Sequence, residues 1–425
     1  MMSLIMIIIA IVLITLGAPI FAALGLSAAL SLIIFKPVPL IVIPQYLWSG
    51  SMSFLLTAVP LFMLTGVLME KAGLGTKLLK FARVFTFWSK GPLGAANIIA
   101  SFIFGGISGS SLADTVALGS IEIPEMQRQG YDLDYAAAVT AASSTLAVVV
   151  PPSILMIVLG AVAELSVGKL LLGGIGPGIL MCGSMLLLNH IISFKRGYEK
   201  RKKGFDKQEI LLSVKSGILP AIIPLIILLA MVTGFASPTE VAAIAVILVI
   251  VLTSVVYKSL SFAALYDSLV VTAKTTGGIM LIVVSSKLFT WVLTIDGMIS
   301  KISKIAGFFP NPQMFLLFTV ATLLFVGMVM DVVVAILIFA PLLVPIATNL
   351  GIDPVFYGVF FVSCLAVGLI TPPFGVCLYS TCSVANTSVK KLVKALIPFF
   401  IALILSLVLM MFIPQTVLFW ANLIK

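Results

Sequence analysis

The sequence predicts an all-α polytopic membrane protein built as an inverted repeat, with two re-entrant helical hairpins and two broken helices. Three observations carry this. The chain of 425 residues is 61% hydrophobic and only 9% charged, with a mean hydropathy of +1.27, where a soluble domain carries roughly 25% charged residues. Apolar runs at 4–16, 218–232, 241–256 and 395–413 match the roughly 20 residues a spanning helix needs, and they lack the alternation of barrel strands. Finally, Pro151-Pro152 returns as Pro372-Pro373, a spacing of 372 − 151 = 221. The same offset relates Gly106 to Gly327, Pro124 to Pro345, Gly130 to Gly351 and Asp132 to Asp353. Most side chains between these anchors differ. What the halves share are residues that set backbone path, glycine for permissive φ and proline for a blocked helix.

The elements follow in order. A first helical region at 3–35 is interrupted by Gly17 and Pro19. A span at 54–69 leads into 76–88, where Lys77, Lys80 and Arg83 punctuate Leu, Phe, Val and Trp, with Lys90 just beyond. Such a basic amphipathic segment lies in the membrane interface. Residues 95–126 are apolar at both ends but carry GISGSSLAD at 106–114; that core is too polar for one crossing and predicts a hairpin that enters the membrane and returns. A helix at 136–150 stops at Pro151-Pro152 and resumes at 153–162, and a span at 170–192 follows. The second half replays this order. Spans at 218–232 and 241–256 precede a candidate interfacial helix at 260–274 and a span at 278–293. Residues 315–348, with Gly327, Asp331 and Pro341 inside, predict a second hairpin; 355–370 is then broken at Thr371-Pro372-Pro373, and 393–412 is the last long span. The resulting division is scaffold and interfacial arm at 1–90, first hairpin and broken helix at 91–168, and scaffold with basic loop and second arm at 169–310. The second hairpin and broken helix take 311–388, and a C-terminal scaffold helix takes 389–425.

The net charge of +10 is a topological signal and not a nucleic-acid surface. Lys195, Arg196, Lys200, Arg201, Lys202, Lys203 and Lys207 crowd one short loop between apolar runs, and the positive-inside rule places 195–207 in the cytoplasm. The N-terminus lacks a basic n-region and a cleavage site, so residue 4 onward reads as a retained helix. Cys182, Cys364, Cys377 and Cys382 have neither metal-ligand nor redox spacing. His190 is the only histidine, which removes His-based metal sites and catalytic dyads. The GISGSS turn resembles one that bears a nucleophile, but that chemistry needs a positioned base. His190 stands beside the basic loop, and neither hairpin core holds a lysine. No P-loop is present, so the chain carries no ATPase of its own. The sequence predicts no enzyme.

Irregular backbone survives in hydrocarbon only inside protein or beside a water-filled cavity. The breaks at 106–111, 147–153, 327–331 and 368–374, placed in matched pairs, are therefore the candidate binding segments, as in transporters built of repeats. Half-helix N-termini suit a carboxylate, while half-helix C-termini and unwound turns offer carbonyls to Na⁺. Ser108, Ser110, Ser111 and Thr371 add hydroxyl oxygens; the alternative is that the serines cap helices or allow close packing. Asp114 and Asp331 are the acidic residues of the hairpin cores, and intramembrane carboxylates are functional candidates. Asp331 lies at a predicted turn where it could help hold a cation near substrate, whereas Asp114 could equally N-cap the returning arm. Glu122 and Glu125 flank Pro124 and read as interfacial.

GGISGSSLADTVALG (105–119), VVVPPSILMIVLG (148–160), GGIGPG (173–178), SPTEVAA (237–243), VGMVMD (326–331) and GLITPPFGVCLY (368–379) resemble the large membrane subunit of tripartite ATP-independent periplasmic (TRAP) transporters. The similarity runs through nearly the whole chain. It implies an elevator-type ion-transporter architecture, in which two hairpins and two broken helices slide against a fixed scaffold. It also implies Na⁺-coupled uptake of an acidic substrate across the bacterial inner membrane. The implied partners are a small four-helix membrane subunit and a periplasmic substrate-binding protein. Carried over by position, one sodium site uses Ser108 and Ser111 with backbone oxygens near Ala147, Val150 and Pro152. A second uses Gly327, Gly368, Thr371 and Phe374. Similarity to sialic-acid members implies that Ser110, Ser153 and Asp331 face the substrate carboxylate or an associated cation. Two departures stand out. Many relatives have Gly-Thr-Leu-Gly where this chain has Ser144-Thr145-Leu146-Ala147, and Thr-Pro-like residues where it has Val332-Val333-Val334. A carbonyl ligand tolerates Gly→Ala where φ is negative. The implied substrate is an organic acid such as sialic acid or a C4-dicarboxylate, and the alternative is a stand-alone Na⁺-coupled dicarboxylate or citrate transporter.

Overall fold

A computed structural model describes residues 2–52, 54–198, 207–298, 307 and 309–424. Lys200, Arg201, Lys202 and Lys203 of the basic loop lie outside the described residues. Among the described residues the regular structure is all helical, and seven helices are long and apolar enough to cross a membrane.

The first arm begins with α1 (Met2–Thr15) and α2 (Ile20–Phe35), separated at Gly17, which adopts φ +83°, and at Pro19, which precedes the first residue of α2. α3 (Val42–Ser51) and α4 (Ala58–Lys71) follow, then α5 (Leu74–Thr86). α5 is amphipathic as predicted and buries Leu74, Leu78, Leu79 and Ala82. In the second arm, α12 (Lys207–Val232) and α13 (Pro238–Val251) lead to α14 (Phe262–Ile295). The sequence divides this last region into an interfacial helix at 260–274 and a span from 278. The structure instead has one continuous helix of 34 residues. Gly277-Gly278 does not break it: with no proline nearby, glycine lowers helix propensity by only about 1 kcal/mol. The C-terminal end of α14 packs on α1 and α2 through Met6, Leu24, Leu32, Leu288 and Val292. There Ser3 donates to Asp296 from both its amide (3.1 Å) and its hydroxyl (2.7 Å).

The repeat is visible residue by residue. Hairpin 1 comprises α6 (Pro92–Ser108) and α7 (Ser111–Arg128), and hairpin 2 comprises α15 (Pro312–Val329) and α16 (Val332–Asn349). The outgoing arms end at Ser108 and Val329 and the returning arms start at Ser111 and Val332, each pair 221 apart. α8 (Leu133–Ser144), extended by a 3₁₀ turn to Val148, corresponds at the same offset to α17 (Pro354–Gly368). After the breaks, α9 (Ile154–Ala163) matches α18 (Val376–Ala385) with one residue inserted. Pro151-Pro152 and Pro372-Pro373 are both cis. Prolines at 124 and 345 sit inside α7 and α16 without ending them.

Packing interlocks the halves. α6 lies on α8 and α15 on α17, so each outgoing arm holds the pre-break helix of its own half. The returning arms cross over: α7 packs on α18, and α16 packs on α9. α11 (Ile175–Arg196) and α19 (Val389–Phe412), which the ranges 169–310 and 389–425 place with the scaffold, pack on the hairpin unit. α11 lies on α6 and α19, and α19 lies on α8. Polar pins secure α11: Tyr135 Oη donates to Asn189 Oδ1 (2.9 Å), Asn189 Nδ2 donates to the Gly91 carbonyl (3.1 Å), and Arg196 pairs with Asp132 (2.9 Å).

Glycine allows the closest approach. A Cβ on Gly105 would run into Ala147 Cα, and one on Gly327 would stand 3.0 Å from Gly368 Cα. Gly105→Leu is therefore expected to destabilise by about 1–3 kcal/mol through overpacking. Gly183→Ala, where a Cβ meets nothing within 4 Å, should be neutral or slightly stabilising. Thermal unfolding of the two purified variants in detergent checks the contrast; equal behaviour would remove the close packing of hairpin tip on break.

Candidate functional site

Each hairpin tip closes against the interruption in its own half. In hairpin 1, Gly109 takes φ +60° and its amide donates to the Gly105 carbonyl (3.0 Å), ending α6. Ser110 is extended and N-caps α7, its Oγ accepting from the Ala113 amide (3.3 Å). Ser108 Oγ accepts from the Ser110 amide (3.4 Å). A Cβ on Gly109 would lie 2.8 Å from the Pro152 carbonyl oxygen, and one on Gly106 would lie 3.2 Å from that of Pro151 and 3.5 Å from Val150 Cγ1. With Gly105 against Ala147, the tip that carries Ser108 and Ser111 faces the segment that carries Ala147, Val150 and Pro152. All five of these residues are buried.

The second cluster has the same plan but more open chemistry. Gly327 packs on Gly368. Thr371 donates its hydroxyl to the Val367 carbonyl (2.9 Å), and the Thr371 carbonyl accepts from the Gly375 amide (3.1 Å). Asp331, the counterpart of Ser110 at the offset of 221, N-caps α16 by accepting from the Val333 amide (2.9 Å). Asp331 and Phe374 are exposed and Thr371 is half-buried. Ser153, which caps α9 where Gly375 precedes α18, is fully buried: its Oγ donates to the Val148 carbonyl and accepts from the Met156 amide, joining the two sides of the break.

The structure changes the reading of Asp114 and gives Glu122 a partner. Asp114 does not cap the returning arm, because Ser110 does. Asp114 sits one turn in, fully buried, accepting at Oδ2 from Ser101 Oγ (2.8 Å), which lies 3.0 Å from Ser143 Oγ. Asp114 Oδ1 and Ser111 Oγ have no hydrogen-bond partner among the described residues. Glu122 faces neither water nor lipid: it is fully buried and paired with Arg83 of the amphipathic α5 at 2.6 Å. Sequence reasoning passed over Ser101 and Ser143. Their signal is periodicity: Ser101 lies on the face of α6 that α7 and α8 cover, where a lone serine reads as a packing residue.

The donor set is oxygen only. Hydroxyls and carbonyls are hard ligands suited to alkali cations, and among the described residues no group of three His, Cys, Asp or Glu could hold a metal ion. Paired hairpins and broken helices, interlocked across a repeat, define a membrane transport protein of the kind built around interrupted helices. The family model described as "Tripartite ATP-independent periplasmic transporter, DctM component" matches residues 7–416, and the chain belongs to that family. It is a multi-pass inner-membrane permease subunit and not an enzyme. Members work with a small permease subunit and a periplasmic binding protein. The chain is 35% identical to the sialic acid TRAP transporter large permease protein SiaM of Vibrio cholerae, over 87% of each chain. It is 32% identical to the C4-dicarboxylate TRAP transporter large permease protein DctM of Pseudomonas aeruginosa, over 94% of each. In fold it is similar to the YdaH transporter of Alcanivorax borkumensis, with TM-score 0.65 at 19% identity, over 96% of this chain and 97% of that one.

The two caps differ in burial, so their removal should differ in cost. Ser153→Ala loses a buried donor and a buried acceptor and should destabilise by about 2 kcal/mol, against about 1 kcal/mol for the exposed cap in Asp331→Ala. Denaturation of the purified variants measures the order; a larger loss for Asp331→Ala would contradict the placement of Ser153.

Proposed function

We propose that this chain carries the sodium-coupled uptake of an organic-acid substrate, delivered by a periplasmic binding protein, through an elevator motion. In this reading the two hairpins, α8, α9, α17 and α18 move as one body. α11 and α19 ride with it, and α1–α4, α13 and α14 form the static scaffold together with a small four-helix subunit. The basic loop 195–207 faces the cytoplasm, in keeping with the positive-inside rule.

The observation that carries the proposal is the pairing of each hairpin tip with a helix break. One sodium ion sits among Ser108, Ser111 and the backbone oxygens of Ala147, Val150 and Pro152. The second sits among Gly327, Gly368, Thr371 and Phe374. The unpartnered Ser111 Oγ supports the first site, because a buried hydroxyl oxygen without a partner is costly unless something binds it. Substrate lies between the tips, near Ser110, Ser153 and Asp331, where helix N-termini favour a carboxylate. Asp331 adds a negative charge that only a cation or a substrate donor group can offset. Bound sodium thus lowers the cost of bringing an anion beside Asp331, which couples the two. The relatives named for sialic acid and for C4-dicarboxylates both handle carboxylates, and either substrate suits this arrangement.

Uptake into proteoliposomes containing both membrane subunits tests the reading. Transport should require an inward sodium gradient and added binding protein, and Asp331→Ala should lower it by about tenfold to a hundredfold, the cost of one charged contact. Uptake without binding protein would instead indicate a stand-alone dicarboxylate or citrate transporter. Wild-type uptake by Asp331→Ala would remove that residue from the site.

A further inference from the structure

We propose that the cavity between α5, the base of hairpin 1 and the start of α12 binds a phosphate-bearing anion, whose membrane form is an anionic phospholipid headgroup. The cavity holds about 470 Å³, within the range of small-molecule sites. Its level in the bilayer is marked by its neighbours. Phe85, Phe87 and Trp88 at the end of α5 are exposed, and Lys77 lies 4.1 Å over the Tyr257 ring; exposed aromatics with lysine mark a membrane–water interface. Gly91, just before α6, donates its amide to the Tyr198 carbonyl (3.3 Å). The cavity therefore opens beside the end of α11 that enters the basic loop.

The charges facing this space favour an anion. Among the described residues Lys80 forms no ion pair. Arg83, also among the lining residues, spends one guanidinium nitrogen on Glu122 and keeps its side chain partly exposed. Glu125 is the one carboxylate among the lining residues, and it is already engaged: Gln129 Nε2 donates to it (2.9 Å) and Arg128 lies 3.7 Å away. An entering anion thus meets the Lys80 ammonium and the partly exposed Arg83 guanidinium, whereas a cation meets only a carboxylate in use. Leu93 and Leu212 supply an apolar wall for the glycerol and first acyl carbons, and Leu212 is exposed on its outer side. An occupant there touches the amphipathic arm, the hairpin and α12 at once. This inference rests on the cavity alone and is independent of how transport is driven.

The test uses the full chain reconstituted in vesicles of phosphatidylcholine alone or of equal parts phosphatidylcholine and phosphatidylglycerol. Lipid retained after detergent extraction is counted by native mass spectrometry. In parallel, sodium phosphate, with sodium chloride as the control, is added to protein from the phosphatidylcholine vesicles and thermal unfolding is followed. The expected result is selective retention of phosphatidylglycerol that falls about fivefold in Lys80→Gln, the loss of one cation near a membrane surface. Lys80 is exposed, so this variant keeps the fold. Stabilisation by free phosphate that disappears in Lys80→Gln, without lipid selectivity, would support the site and identify a soluble phosphate compound as its occupant. Equal retention of both lipids with no phosphate effect, or effects unchanged in Lys80→Gln, would overturn the proposal.

Discussion

A peptide group in hydrocarbon has no water to bond, so each place where a helix stops inside the membrane must be covered by protein or by something bound. This chain stops its helices at four such places and covers them in pairs, tip of hairpin against break in helix. The glycines follow from that constraint, since at Gly105 and at the Gly327–Gly368 contact the backbones meet with no room for a side chain. The crossing of returning arms follows as well. α7 on α18 and α16 on α9 tie the two halves into one packed unit.

Within that shared plan the halves differ where function would require it. Ser110 and Asp331 occupy the same capping position, one neutral and one charged. Val150 and Thr371 occupy the same place in the breaks, and the post-break helices open on Ser153 in one half and Gly375 in the other. The first cluster is closed, with its serines and break residues buried, while the second leaves Asp331 and Phe374 exposed. A repeat that was symmetric in chemistry would present two equal sites. The replacement of serine by aspartate at one cap gives the pair a direction and a charge imbalance for a single molecule to satisfy.

Much of this was legible in the sequence because proline and glycine act locally. The offset of 221 located the hairpin tips and the breaks to within a few residues, since blocked amides and permissive φ leave marks that survive when packing side chains diverge. The amphipathic arm at α5 was legible for a similar reason, its charges recurring on one face. What escaped depends on tertiary contact. Gly277-Gly278 did not stop α14. The pairing of Glu122 with Arg83 was hidden because the two lie 39 residues apart on different elements. Asp114 and Ser110 compete for one cap, and only the backbone turn at Gly109 decides between them. The packing of α11 and α19 on the hairpin unit has no sequence mark, because an apolar span looks the same whichever neighbour it meets.

The central claim is that the paired interruptions exist to hold sodium. The most direct measurement is thermal unfolding of the purified protein titrated with NaCl against KCl at constant ionic strength, for the wild type, Ser111→Ala and Thr371→Val. Ligand that binds only the folded state raises stability by about 2.7 kcal/mol at a hundredfold excess over its dissociation constant. The account predicts a saturable stabilisation specific to sodium, reduced in each variant, with the two variants removing separate parts of it. Equal curves in sodium and potassium, or a sodium response untouched in both variants, would contradict it.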